Sequence, residues 1–171
     1  MPEEFRFTGT EMRTRGARTD EAIAILRAIC PGGGPRWAEF HGRHYDFDRL
    51  MVSPAPELPV PILVGGHTEP ALRRAARLAD GWISANLPAG ELPAVLARLH
   101  ELRQAEGRAD APFSVCVSPT GVADAAGFDD LAAAGATDVW LNPWRFHGHG
   151  RADRAARLDS VRRFAGEIIR R

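Results

Sequence analysis

The strongest constraint in this chain is an alternation repeated four times. Short apolar runs are each followed by a stretch with helical spacing. The runs are Pro61-Ile62-Leu63-Val64, Trp82-Ile83-Ser84-Ala85, Phe113-Ser114-Val115-Cys116-Val117 and Asp138-Val139-Trp140-Leu141. They predict strands at about 61–65, 82–86, 113–118 and 138–142. Between and after them lie the helical faces Leu72/Ala75/Ala76/Ala79, Leu92/Val95/Leu96/Leu99/Leu102, Phe128/Leu131/Ala132 and Leu158/Val161/Ala165/Ile168. Gly65-Gly66, Gly81, Gly107 and Asn142-Pro143 punctuate the pattern. Apolar strands alternating with amphipathic helices give βαβ units and a parallel sheet.

A complete (β/α)8 barrel takes about 250 residues. This chain has 171 and supplies four βα units with one leading helix. The expected architecture is α/β, a partial TIM-like (β/α)8 barrel corresponding to the C-terminal half. A small doubly wound sheet is the alternative. The chain is expected to be one domain, with residues 1–60 as leading helix and long loop and 61–171 as the βα units. Open edges and an uncovered face predict an exposed apolar edge at the first strand, and self-association.

Upstream, residues 1–18 are polar without a clear period. A helix is predicted from Thr19 as N-cap, with Asp20 and Glu21 in its first turn and an apolar face of Ala22, Ile25, Leu26 and Ile29. Pro31 and Gly32-Gly33-Gly34 stop it. Residues 35–60, with Pro35, Pro54, Pro56 and Pro59, read as an irregular connection, long enough to be functional.

Charge and composition remove several function classes. The 22 Asp+Glu balance the 22 basic residues, so nothing favours a nucleic-acid partner. All the basic residues are Arg, which removes lysine Schiff bases, a PLP lysine and the GK[ST] phosphate loop. The N-terminal stretch has no apolar core of a secretory signal, and no run approaches the roughly 20 apolar residues that cross a bilayer. Cys30 and Cys116 are far apart and in no metal spacing, so they are expected as free reduced thiols. The expected location is the cytoplasm.

Gly65, Gly66, His67 and Thr68 carry the clearest chemistry. They stand where a strand turns into a helix. Two glycines let backbone approach a ligand, the helix N-terminus offers free N–H groups, and Thr68 adds a hydroxyl. The plain alternative is a tight turn with Thr68 as N-cap. Trp82 either lines a cleft or fills the interior. Asp80 reads as a turn residue. His41 and His44, and His147 and His149, have no completed metal set and read as solvated loop histidines. Arg145 lies just past the fourth strand, the end where barrel enzymes place functional residues, and is a candidate partner for a phosphate or an acidic cofactor tail. Arg162, Arg163, Arg170 and Arg171 read as a solvated face.

Val60 to Thr68 followed by Ala71 to Ile83 resembles the luciferase-like monooxygenase family, and within it the F420-dependent oxidoreductases. Arg15 to Glu21, Phe40 to Tyr45 and Val52 to Pro56 match that pattern too, so the resemblance spans about residues 13 to 145. It implies a TIM-like barrel, coenzyme F420 (alternatively FMN) at the C-terminal face, and often a dimer. In the family the glycine turn contacts the cofactor phosphate, which carries over to Gly65, Gly66, His67 and Thr68. The family's N-terminal half has no counterpart in the pattern. Two readings follow. One is an F420- or flavin-dependent oxidoreductase, of hydride-transfer or monooxygenase type, present as a fragment or subunit. The other is a non-catalytic half-barrel that binds a phosphate-bearing ligand or a partner chain. The expected partners are the cofactor, an organic substrate, and a second copy or a complementing N-terminal half-barrel. No residue qualifies as a catalytic acid or base.

Overall fold

A computed structural model describes residues 2–150 and 153–170. The chain forms two compact units, Met1–Ile62 and Leu63–Arg171.

The first unit contains helices α1 (Pro2–Phe7) and α2 (Arg15–Ile29) and strands β1 (Trp37–His41) and β2 (Asp46–Met51). Helix α2 begins earlier than Thr19. A 3-10 turn at Met12–Thr14 leads into it, Thr14 is the N-cap, and the Thr19 hydroxyl bonds the Arg15 carbonyl inside the helix. Glu21 therefore sits in mid-helix rather than in a first turn. Its carboxylate accepts from the backbone N–H groups of Arg43, His44 and Tyr45 at 3.0, 2.9 and 3.0 Å. The buried residue of α2 is Ile23, while Ala22, Ile25 and Leu26 line an open groove with Tyr45 and Phe47.

The stretch 35–60 is not wholly irregular. Strands β1 and β2 form an antiparallel hairpin, pairing Trp37 with Met51 and His41 with Asp46. Phe40 and Phe47 stack at 6.3 Å, and Arg49 lies over the Trp37 ring. The prolines that argue for a loop lie outside these strands. Cross-strand aromatic pairs stabilise what they leave free. Gly33 and Gly34 donate to the carbonyls of Glu57 and Pro56, which ties the glycine run to the segment after the hairpin.

The second unit is the predicted parallel sheet. Strands β3 (Leu63–Gly65), β4 (Gly81–Ile83), β6 (Ser114–Val117) and β8 (Asp138–Val139) lie in sequential order. Every pairing is parallel. Helices α3 (Glu69–Leu78), α4 (Leu92–Ala105) and α5 (Ala125–Ala133) alternate with the strands. After β8 come a short α6 (Pro143–Phe146), which the spacing does not reveal, and α7 (Arg154–Phe164). Asp124 and Asp153 cap α5 and α7 through their carboxylates.

The core of this unit follows the spacing closely. Helix α3 buries Leu72, Ala75 and Ala76, and α4 buries Leu92, Leu99 and Leu102. Each buried leucine contributes about 1.5–3 kcal/mol. Close packing also fixes Gly81: a Cβ there would lie 2.6 Å from the Ser114 carbonyl on the neighbouring strand. Arg103 is buried beneath the Phe113 ring, and its guanidinium donates to the carbonyls of Arg108 and Ala111.

Three features depart from expectation. A second parallel pair, β5 (Leu87–Pro88) with β7 (Pro119–Thr120), extends the sheet past the ends of β4 and β6. Between the two ladders the Ser84 hydroxyl accepts from Ser118 N–H at 3.0 Å. The exposed apolar edge lies at the fourth strand, not the first. Val139 is 40% exposed and Trp140 61%, whereas Val64 on β3 is 7% exposed. Finally, Leu158 and Val161 of α7 face solvent. Ser160 and Phe164 turn inward instead, because Phe164 completes an aromatic cluster with Phe128 and Phe146. The helix then widens into a π turn at Ala165–Ile169.

Candidate functional site at the C-terminal ends of the strands

The β3–α3 turn is an exposed loop braced from behind. Gly65, Gly66, His67 and Thr68 are all exposed. Gly66 has φ +115°, and a Cβ on it would stand 2.8 Å from the Ala71 Cβ, so both conformation and space require glycine. Trp82 is fully buried, and its Nε1–H donates to the Gly66 carbonyl at 2.8 Å. That bond satisfies the Gly66 carbonyl from the interior side of the turn. Of the two roles open to Trp82, the structure gives it the interior, where it positions the turn. The His67 ring lies 5.8 Å from the Trp82 ring, and its Nε2 faces Ala85 N–H at 3.4 Å.

Thr68 caps α3 with its carbonyl, which accepts from Ala71 and Leu72. Its hydroxyl makes no capping bond, and the N–H groups of His67 and Thr68 have no acceptor among the described residues. Donors with nothing to bind at a positive helix end are what an oxyanion needs. Glu69, the first helical residue, would oppose an anion. Its charge is held by Arg98 at 2.6 Å and Arg73 at 2.7 Å. The Arg98 hydrogen bonds hold the Glu69 carboxyl below the usual carboxylate range, against a smaller effect of burial.

Arg145 lies elsewhere. It lines a cavity of about 480 Å³ past the ends of β4, β6 and β8, with Ser84, Ala85, Ser118, Thr120, Trp140 and Asn142. No residue of the turn lines this cavity, but the two adjoin where His67 meets Ala85. Asn86 in the cavity wall has φ +51°, a left-handed conformation that asparagine tolerates.

The histidines divide. His41 Nδ1 pairs with Asp46 at 2.7 Å on the hairpin, and that hydrogen bond raises its pKa. His149 is exposed. His147 is not a solvated loop residue: its side chain is 6% exposed and packs edge-on against Phe146 and Phe164. Its Nε2 stands 3.4 Å from the Glu167 carboxylate without hydrogen-bond geometry, and neither ring nitrogen is satisfied. Its burial depends on Phe164, which is distant in sequence, so no local signal marks it. Among the described residues no three His, Cys, Asp or Glu side chains gather as a metal site. Cys30 and Cys116 are unbridged, and burial, with Asp138 nearby, pushes the Cys116 thiol up. No helix of the described residues is long and apolar enough to cross a membrane.

The model of the luciferase-like monooxygenase family matches residues 1–160. The chain belongs to that family. Uncharacterized proteins of Mycobacterium tuberculosis and Mycobacterium bovis are 41% identical over 138 residues, which is 81% of this chain and 46% of theirs. The chain thus spans about half the length of the curated relatives it matches. An F420-dependent glucose-6-phosphate dehydrogenase of Nakamurella multipartita is 32% identical over 74 residues, 43% of this chain and 21% of that protein. Among solved structures, an F420-dependent secondary alcohol dehydrogenase in complex with an F420–acetone adduct superposes with a TM-score of 0.53. It is 17% identical, over 62% of this chain and 32% of its own. That likeness supports the fold: a parallel α/β sheet forming part of a TIM-like barrel.

Proposed function

We propose that this luciferase-like chain is part of an oxidoreductase that uses coenzyme F420, with FMN as the alternative, and that the β3–α3 turn holds the cofactor phosphate. The observation that carries the reading is the turn itself. Free N–H groups of His67 and Thr68 and an unused Thr68 hydroxyl stand at a helix start whose one acidic neighbour, Glu69, is tied to arginines. A bound deazaflavin supplies hydride transfer to or from an organic substrate. The chain's own part is binding and orientation. Gly66 lets the backbone approach the ligand, Trp82 fixes the turn from inside, and the α3 N-terminus offsets negative charge. No side chain is assigned a proton transfer. A cytoplasmic location accords with this chemistry and with the absence of any membrane-crossing helix among the described residues.

The second reading is a half-barrel that binds such a ligand, or a partner chain, without turnover. The exposed Val139 and Trp140 at the β8 edge favour a partner there, either a second copy or a chain supplying further barrel strands.

The test is fluorescence titration of F420 and of FMN against the full chain and Thr68→Ala. Wild type should bind F420 more tightly than FMN. Loss of the hydroxyl should cost about 1 kcal/mol, roughly a fivefold loss of affinity. Equal binding by Thr68→Ala would remove the hydroxyl from the site. Saturable binding without hydride transfer to any acceptor, alone or with the N-terminal half of a longer relative, would favour the second reading.

A further inference from the structure

The cavity beside the turn has a chemistry of its own. Its volume, about 480 Å³, falls in the range of small-molecule sites. Trp140, Phe128 and Phe146 give it flat apolar walls, and Thr120 and Asn142 give it neutral polar groups. Arg145 is the one charged side chain lining it. That guanidinium is exposed and makes no ion pair or hydrogen bond among the described residues, in a chain where arginine is the only strong cation. Arg157, by contrast, already lies over the Trp144 ring.

We propose that this cavity is a carboxylate site for a flat, apolar organic acid, with Arg145 pairing its carboxylate and the aromatic side chains stacking its body. The charge balance selects the ligand class. One guanidinium matches one carboxylate through two parallel N–H···O bonds. A phosphate dianion would keep an unbalanced charge here, and the turn with its helix N-terminus serves that group better. The two sites share the His67–Ala85 boundary, so an acid in the cavity lies next to a ligand on the turn. Its assignment as the substrate site rests on the function proposed above; the carboxylate site itself does not.

Binding of 2-naphthoate, its neutral amide and 2-naphthyl phosphate to the full chain, followed by amide NMR, tests this. Naphthoate should bind saturably and more tightly than the phosphate, with shifts centred on Thr120, Gly121 and Asn142. Arg145→Gln changes an exposed, unpaired side chain and should keep the fold. It should weaken naphthoate at least tenfold and leave the amide unchanged. Naphthoate should still bind in the presence of F420. Unchanged naphthoate affinity in Arg145→Gln, no saturable binding to wild type, or competition with F420 would each overturn the proposal. Competition would return Arg145 to the cofactor's acidic tail. A Thr68 variant separates the two ideas: it should weaken F420 and leave naphthoate untouched. If naphthoate binds as stated while F420 does not, the cofactor reading fails and the carboxylate site stands.

Discussion

The two units of this chain are held together by different forces. In Leu63–Arg171 the core is apolar and periodic: Val64, Leu72, Ala75, Ala76, Trp82, Leu92, Leu99, Val117 and Leu131 are all buried. Among the described residues of Met1–Ile62 the only buried side chain of the apolar core is Ile23. There the hairpin is joined to α2 by one carboxylate, Glu21, accepting three backbone N–H groups, with Arg18 over the Tyr45 ring. Packing that depends on buried area should be insensitive to pH and sensitive to volume. A joint that depends on a charged acceptor should show the reverse.

The largest effects should come from the apolar unit. Trp82→Ala should destabilise it by about 3–5 kcal/mol, the usual range for a large-to-small aromatic substitution, and release the Gly66 carbonyl. Thermal unfolding followed by circular dichroism measures this. A cost under about 1 kcal/mol would mean that Trp82 is not the centre of the core. Gly81→Ala should also be severe, because backbone of the neighbouring strand occupies the Cβ position.

His147→Phe should act in the opposite direction. It removes two unsatisfied nitrogens from an aromatic cluster and should stabilise by about 1–2 kcal/mol. Destabilisation would show that the His147–Glu167 approach is a working ion pair.

The polar joint of the first unit should respond to acid. Burial pushes the Glu21 carboxyl up, but hydrogen bonds from His44, Tyr45 and Arg43 outweigh it and hold the group below its ordinary range. A depressed carboxyl contributes stability that is complete above its unfolded pKa and is lost as pH falls through the lower folded value. The protection of the Arg43, His44 and Tyr45 amides, measured against their intrinsic exchange rates, should therefore fall as pH drops below the ordinary glutamate range while that of Val117 holds. Glu21→Gln should show fast exchange at neutral pH. The smallest stability change belongs to Trp140→Ser, within about 0.5 kcal/mol for an exposed side chain, yet sedimentation should show less self-association.

The same contrast explains what could be read in the sequence. The main strands and the helices α3 and α4 of the second unit announce themselves, because apolar residues at their spacing, such as Leu72, Ala75, Ala76, Leu92, Leu99 and Leu102, are buried where that spacing says. The hairpin does not. Its signal is one aromatic pair, Phe40 with Phe47, and Glu21, which lies 22 to 24 residues before the amides it binds. The inward turn of Ser160 and the burial of His147 likewise depend on Phe164 meeting Phe128 and Phe146, a long-range contact that no local period encodes. The glycine turn and Arg145 were both legible as strand-end features. That they belong to adjoining but separate places, with Trp82 behind one of them, required the fold.

We propose that the turn at Gly65–Thr68 binds a phosphate-bearing cofactor, and one substitution tests this without harming the fold. Gly66→Asp is unsuitable, since φ +115° and the Ala71 contact forbid a side chain there. Thr68→Asp places a negative charge at the same turn while supplying a better N-cap for α3. Thermal stability should hold or rise. F420 affinity should fall at least tenfold, about 1.4 kcal/mol, in a fluorescence titration of wild type against the variant. Undiminished F420 binding by a folded Thr68→Asp chain would show that the cofactor phosphate does not sit at this turn.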